Sequence, residues 1–140
     1  MKTKKLFFQL FFFVAAATLV LDQLTKFLAD SLGKTIHNTG SAFGLNFGGA
    51  IPILLSIVAI GIIFYYRKPI LKSKMLAILS ALILGGAVGN LIDRIAFGFV
   101  RDFINLKIWP AFNVADAGLT IGVIGLIGYS WMKNKPRAQR

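Results

Sequence analysis

The chain has no cysteine and no glutamate, a single histidine, His37, and only five acids, which are Asp22, Asp30, Asp93, Asp102 and Asp116. Each shortage removes a chemistry. Without cysteine there is neither a disulfide nor a thiol nucleophile. One histidine cannot build the two-histidine zinc motif of a membrane metalloprotease, so His37 reads as an ordinary loop residue. A serine hydrolase needs a serine beside a base. Ser41 with Lys26 or Lys34 is the available combination, but "NTGSAFG" (Asn38 to Gly44) lacks the Gly-x-Ser-x-Gly elbow and reads as a turn. No metal and no organic cofactor is implied.

What the chain has in excess is apolar surface. Of its 140 residues 56% are hydrophobic and the mean hydropathy is +0.73, whereas soluble domains average about 45–50% apolar. This is the composition of an integral membrane protein. A helix needs roughly 20 mainly apolar residues to cross the hydrocarbon, and four segments approach that: Leu6 to about Leu21, Ala50 to Tyr66, Met75 to Ile92, and Val114 to Met132. Each is slightly short. The first is expected to continue toward Leu28, carrying Asp22 to the interface, and the others to borrow flanking residues or sit in a thinned bilayer. "MKTKK" before an apolar run has the look of a signal peptide, but no small-residue cleavage motif precedes "DQLTK", so the first segment is expected to stay as a span. With neither a repeat nor a second domain, residues 1–140 read as a single transmembrane domain, and a monomer is expected.

The net charge of +11 is not that of a nucleic-acid binder, because the bases are not gathered into one patch. Lys2, Lys4 and Lys5 precede the first span, Arg67, Lys68, Lys72 and Lys74 lie between the second and third, and Lys133, Lys135, Arg137 and Arg140 follow the fourth. The positive-inside rule makes all three segments cytoplasmic, both termini included, which an even number of spans satisfies. The five aspartates follow the opposite pattern, in the outer loops or at outer span ends. Ionisable groups embedded in span ends are costly and usually face a protein interior or a wet cavity, which favours a site there.

That outer face carries carboxylates, amides and one arginine: Asn38, Asn90, Asp93, Arg94, Asp102, Asn113 and Asp116. Two carboxylates held close together share a proton, so one can act as acid and the other as base at the same pH. Asp22 has Lys26 four residues on, the spacing of a local helical ion pair. Asp30 reads as solvated. Asp93 and Arg94, being adjacent, point apart and are expected to organise surrounding groups rather than pair together. Asp102 and Asp116 have no obvious local cation except Arg101 and are the best candidates for a dyad. For Asp116 a second reading is equally open: Asn113 followed three residues later by an acid is the pattern of a helix N-cap.

Five segments taken in order, "DQLTK" (Asp22 to Lys26), "NTGSAFG", "GGAVGNLIDR" (Gly85 to Arg94), "GFVRDFI" (Gly98 to Ile104) and "PAFNVADAG" (Pro110 to Gly118), resemble lipoprotein signal peptidase, also called signal peptidase II. The resemblance spans nearly the whole chain. It implies an all-α integral membrane protein of four transmembrane helices with a small extracytoplasmic β element. The implied activity is that of an aspartic endopeptidase of the bacterial cytoplasmic (inner) membrane. Such an enzyme removes the signal peptide of diacylglyceryl-modified prolipoproteins, cutting before the lipidated cysteine. It also implies Asp102 and Asp116 as catalytic residues and Asn38, Asn90, Asp93, Arg94 and Asn113 as site-supporting or substrate-binding residues, with Asp22 and Lys26 as a structural pair. The stretches from Lys26 to Asn38 and "DFINLKIW" are shorter than the family's pattern, in which these regions form the outer sheet and a segment over the site.

The residues agree with such a role. Ile104, Leu106 and Ile108 alternate with Asn105 and Lys107, predicting a short strand at the interface, beside the aromatic surface of Trp109 and Phe112. The glycines of "LGGAVGN" predict close helix approach. The rival from another class is a small ion or proton transporter using interfacial aspartates. A relay would place acids at successive depths, whereas all five here fall on the outer side.

Overall fold

In a computed structural model of the chain, residues 2–42, 45–46 and 50–134 are described. The Ser41 side chain, the end of "NTGSAFG" and the bases after Asn134 lie outside that part. Three long apolar helices form the frame: α1 (Lys2–Ser31), α4 (Lys74–Phe97) and α5 (Val114–Asn134). A shorter apolar helix, α2 (Ala50–Tyr65), and a single turn, α3 (Arg67–Ile70), lie between α1 and α4. Helix α1 runs for 30 residues because nothing in that stretch interrupts it, neither glycine nor proline. Its length of about 45 Å, at roughly 1.5 Å per residue, exceeds a bilayer's hydrocarbon thickness. Helix α2 has 16 residues, or about 24 Å on the same rise. Helix α1 thus overshoots the first expected span at both ends, whereas the second, Ala50 to Tyr66, is matched to within one residue and is as short as expected.

Helix α4 is the centre. Ala77, Ala81, Gly85 and Gly89 recur every four residues and are all buried, forming a stripe of small side chains against which neighbouring backbones pack. A Cβ on Gly85 would sit 2.6 Å from the Ala15 carbonyl oxygen of α1, and one on Gly122 of α5 would sit 2.7 Å from that of Leu79. The expected close approach is therefore real, and it lies at those positions. Phe11, Ile63, Ile70, Ile83 and Leu84 fill the remaining core between α1, α2, α3 and α4. The outward faces stay apolar: Phe13 is 71% exposed and Ile124 65%. A helical protein with such faces is built for lipid rather than water.

Helices α1 and α4 run in the same direction and α5 runs back, with the Tyr129 hydroxyl near the end of α5 donating to Ser73 Oγ before α4 at 3.4 Å. The C-terminal ends of α1 and α4 thus meet the N-terminal end of α5. Asp22, Asp93 and Asp116 share that end, while Lys4, Lys5, Lys74 and Lys133 lie at the other.

At the acidic end α4 stops at Gly98, whose φ of +81° is left-handed and whose N–H donates to the Arg94 carbonyl at 3.1 Å; glycine takes this conformation without strain. The chain turns there into β4 (Val100–Asp102), which pairs antiparallel with β1 (Ile36–Asn38), Ile36 opposite Asp102 and Asn38 opposite Val100. His37 is thus a strand residue rather than a loop residue, and its ring stacks on Phe99. A second small ladder pairs β2 (Ser41–Ala42) with β3 (Leu45–Asn46).

The strand expected over Ile104 to Ile108 does not form. Only Ile104 makes a bridge, to Phe112. Asn105 Oδ1 accepts the Lys107 N–H at 2.9 Å, and Lys107 takes a φ of +65°. This side-chain-to-backbone turn competes with extended structure, and it leaves Ile108 92% exposed.

Candidate active site

The acidic end is held by a buried charge cluster. Asp22, Lys26 and Asp93 have no exposed surface, and Arg101 retains 7%. Lys26 Nζ lies 2.8 Å from Asp22 Oδ2 and 3.3 Å from Asp93 Oδ2, and donates to Asn90 Oδ1 at 2.9 Å. All three ammonium protons are therefore used. The expected Asp22–Lys26 pair is present, and it is fully buried. It is sealed between α1 and α4, and Asp22 Oδ1 also accepts the Ala115 N–H of α5 at 2.8 Å. Gly89 makes room for it, since a Cβ there would lie 2.5 Å from Asp22 Oδ2. Two carboxylates against two cations leave the cluster neutral, which is the condition for burying charge at tolerable cost.

Asp93 does turn away from its neighbour Arg94. Its partner is Arg101, whose backbone N–H donates to Oδ2 at 3.0 Å, with Nε to Oδ2 at 3.3 Å and a guanidinium nitrogen to Oδ1 at 2.8 Å. The guanidinium carbon lies 4.5 Å from the centre of the Phe97 ring. Gln23 closes the cluster, donating to Asp22, Asp93 and the Gly89 carbonyl and accepting from Arg101. Sequence reasoning passed over Gln23 and treated Arg101 only as a possible partner of Asp102. The available signal was strand alternation, because adjacent residues of a strand face opposite sides, so Arg101 cannot face where Asp102 faces.

Asp102 faces the helix ends and is 1% exposed. Its Oδ1 accepts from Asn113 Nδ2 at 2.7 Å and its Oδ2 from Asn38 Nδ2 at 3.0 Å. Asp116 Oδ1 accepts from Asn90 Nδ2 at 2.7 Å, and its Oδ2 from the Asn113 N–H at 3.3 Å. Asn113 Oδ1 in turn accepts the Asp116 N–H at 2.9 Å. The two readings of Asp116 are thus compatible: Asn113 and Asp116 form a reciprocal cap at the start of α5, and the same residues join a network reaching Asp102. Asn113 Nδ2 also donates to Asn90 Oδ1 at 3.2 Å. The amide orientations are chemically forced. Lys26 has only protons to offer, so Asn90 must turn its oxygen to Lys26 and its NH2 to Asp116.

Burial pushes Asp102 up to about 6, with the Asp116 charge adding to the rise and the Asn38 and Asn113 amides opposing it. Arg94 makes no hydrogen bond or ion pair with a described residue, yet it is half-buried within the field of Asp116, Asp102 and Asp93. Asp30 stands apart, exposed, accepting from the Thr35 hydroxyl at 2.8 Å. The structure therefore brings together Asn38, Asn90, Asp102, Asn113 and Asp116 in one hydrogen-bonded group, packs Asp22, Lys26 and Asp93 behind it, and leaves Asp30 outside. Among the described residues no buried side-chain nitrogen or oxygen lacks a hydrogen-bond partner. Beside Asp116 a groove of about 380 Å³ opens between α5 and the loop before it, lined by Leu106, Trp109, Phe112, Thr120 and Ile121.

The structure is an apolar helical frame with carboxylates and amides gathered at one end. Residues 14–132 match the signal peptidase (SPase) II family, and the chain belongs to it. It is 35% identical to a lipoprotein signal peptidase of Halothermothrix orenii, over 89% of this chain and 97% of that one. To one of Syntrophus aciditrophicus it is 39% identical, over 92% and 96%. A solved bacterial membrane enzyme superposes with a TM-score of 0.77 at 26% identity, covering 94% of both chains. The protein is accordingly a signal peptidase of the aspartic type that removes signal peptides from prolipoproteins.

Proposed function

We propose that Asp102 and Asp116 are the catalytic pair of this peptidase and that its substrates carry a diacylglyceryl group on the cysteine after the cut. The observation that carries the first part is the pair of amides, Asn90 and Asn113, that link the two carboxylates at the mouth of an apolar groove. One aspartate, ionised, takes a proton from a water whose oxygen attacks the scissile carbonyl. The other, protonated, gives its proton to the departing nitrogen. With Asp102 near 6, holding a proton on the pair at neutral pH costs about 3 kcal/mol less than for an ordinary carboxylate, at about 1.4 kcal/mol per pH unit. Asn38 and Asn113 hold Asp102, Asn90 holds Asp116, and Asp93 fixes the strand. Arg94, beside the dyad and without a hydrogen bond or ion pair to any described residue, is left to meet the substrate.

The groove's apolar and aromatic lining supports lipid contact, and its opening along α5 lets acyl chains stay in hydrocarbon while the peptide bond reaches the aspartates. The opposed ends of the bundle, one acidic and one basic, support an orientation with the basic end cytoplasmic and the site extracytoplasmic. In this reading the chain is one domain and a monomer among membrane lipids, with α2 as a fourth span in a locally thinned bilayer. The transporter alternative has no support from depth, since the acids share one end.

The test is cleavage of a diacylglyceryl-modified precursor by the purified chain, beside the unmodified precursor. Only the lipidated form should be processed efficiently. Asp102→Asn and Asp116→Asn should each abolish processing in a protein that still folds, and the double variant should be no worse than either. Near-normal processing by a folded Asp116→Asn would reduce that residue to a helix cap. Equal rates on the two precursors would remove the lipid from the proposal.

A further inference from the structure

Strand β4 is three residues long and pairs with one equally short partner. A two-stranded ribbon of that size does not hold its own position. On its downstream side it is tied by the Phe103 and Ile104 N–H groups, which both donate to the Phe112 carbonyl at 3.1 and 2.9 Å. On its upstream side Val100 is buried, and the directed bonds to a helix all come from one residue, Arg101.

We propose that Arg101 is a positioning residue for the reaction: by clamping β4 onto Asp93 of α4 it sets where the neighbouring Asp102 carboxylate stands. The inference rests on the dyad reading above.

Three donors of Arg101 reach both oxygens of Asp93, and one of the three is its own main-chain N–H. The side chain therefore fixes not only its own end but the backbone from which Asp102 projects to the other face. Asp93 is itself buried and held by Lys26 and Gln23. With Phe97 beneath the guanidinium and Gln23 at its edge, Arg101 has one arrangement available. An arginine suits this place because its planar fork spans two carboxylate oxygens while its remaining donors serve a second acceptor. Arg101 touches neither Asp102 nor Asp116, so its effect on the reaction is through geometry, and geometry is demanding. A displacement of about 1 Å at a reacting group can cost about 100-fold in rate.

The experiment measures kcat and KM on the lipidated precursor, with thermal melting, for the purified full chain and four variants. Arg101→Met should lower kcat by about 10- to 100-fold and leave KM within about twofold, since the groove that holds the substrate is untouched. Arg101→Lys, which can reach Asp93 with one ammonium but cannot serve Gln23 as well, should recover part of kcat. Asp93→Asn/Arg101→Met leaves Asp22 with Lys26, restoring the charge balance that the single change upsets in the buried cluster, so it should melt nearer the parent while kcat stays low. Recovery of both melting and kcat in that double variant, or a rise in KM at constant kcat for Arg101→Met, would overturn the proposal. Asp102→Asn is the control: substantial cleavage there would remove the dyad itself, and the inference with it, whatever the Arg101 variants do.

Discussion

Asp102→Asn should make the protein more stable while making it inactive, and the gain should depend on pH in a defined direction. In the folded protein Asp102 is almost fully buried and lifted from 3.8 to about 6. Above pH 6 its ionised form sits where burial disfavours it. A shift of about two units corresponds to about 3 kcal/mol of differential free energy at about 1.4 kcal/mol per unit. Because the folded value is raised, the proton is bound more tightly in the folded state. The associated stability is fully present below the unfolded value of about 4 and is lost as pH rises through 6.

Asparagine removes the charge but not the volume. Its oxygen can keep the bond from Asn113, while its NH2 confronts the Asn38 NH2, and losing one hydrogen bond costs about 1 kcal/mol. The net gain at pH 8 is then about 2 kcal/mol, disappearing by about pH 4. The assay is thermal melting of purified parent and variant in lipid–detergent micelles between pH 4 and 8, with cleavage measured on the same samples. A variant less stable than the parent at pH 8, or a gain that grows as pH falls, would refute the assignment of Asp102 as a carboxylate held under electrostatic strain.

Lys26→Met should lose about 3 kcal/mol, the low end for breaking a buried pair, because Asp93 keeps Arg101 and Asp22 keeps the Ala115 N–H; a melting temperature unchanged by this substitution would show the cluster to be dispensable. Gly89→Ala should unfold at markedly lower temperature because its Cβ meets Asp22 Oδ2 at 2.5 Å, whereas Gly61→Ala, with nothing within 4 Å, should melt like the parent. Equal effects at the two glycines would discount the packing argument. For orientation, a cysteine at Lys107 should label from outside intact cells and one at Lys72 should not; the reverse pattern would invert the protein in the membrane. Asp30→Asn should leave cleavage unchanged, since the residue is exposed and its side chain bonds only Thr35 among the described residues, and a strong loss would place it in a site this structure does not give it.

The sequence by itself determined the membrane character, the helical frame and the end of the bundle where the acids gather. Apolar run length and the separation of bases from acids are one-dimensional signals, set by the bilayer rather than by contacts. The Asp22–Lys26 pair and the Asn113–Asp116 cap were equally legible, because a helix fixes what stands three or four residues away. What the tertiary structure decided lies across elements. Which cations Asp93 meets once Arg94 has turned away, which helix ends Arg101 and Asp102 reach from opposite faces of β4, and which way Asn90 turns its amide depend on how α1, α4, α5 and β4 are brought together. The expected strand at Ile104 to Ile108 gave way to one at Val100 to Asp102 for the same reason. Strand alternation says only that a segment can be extended. A partner strand and an anchoring helix determine whether it is, and those partners, Ile36–Asn38 and Asp93, are distant or hidden in the sequence.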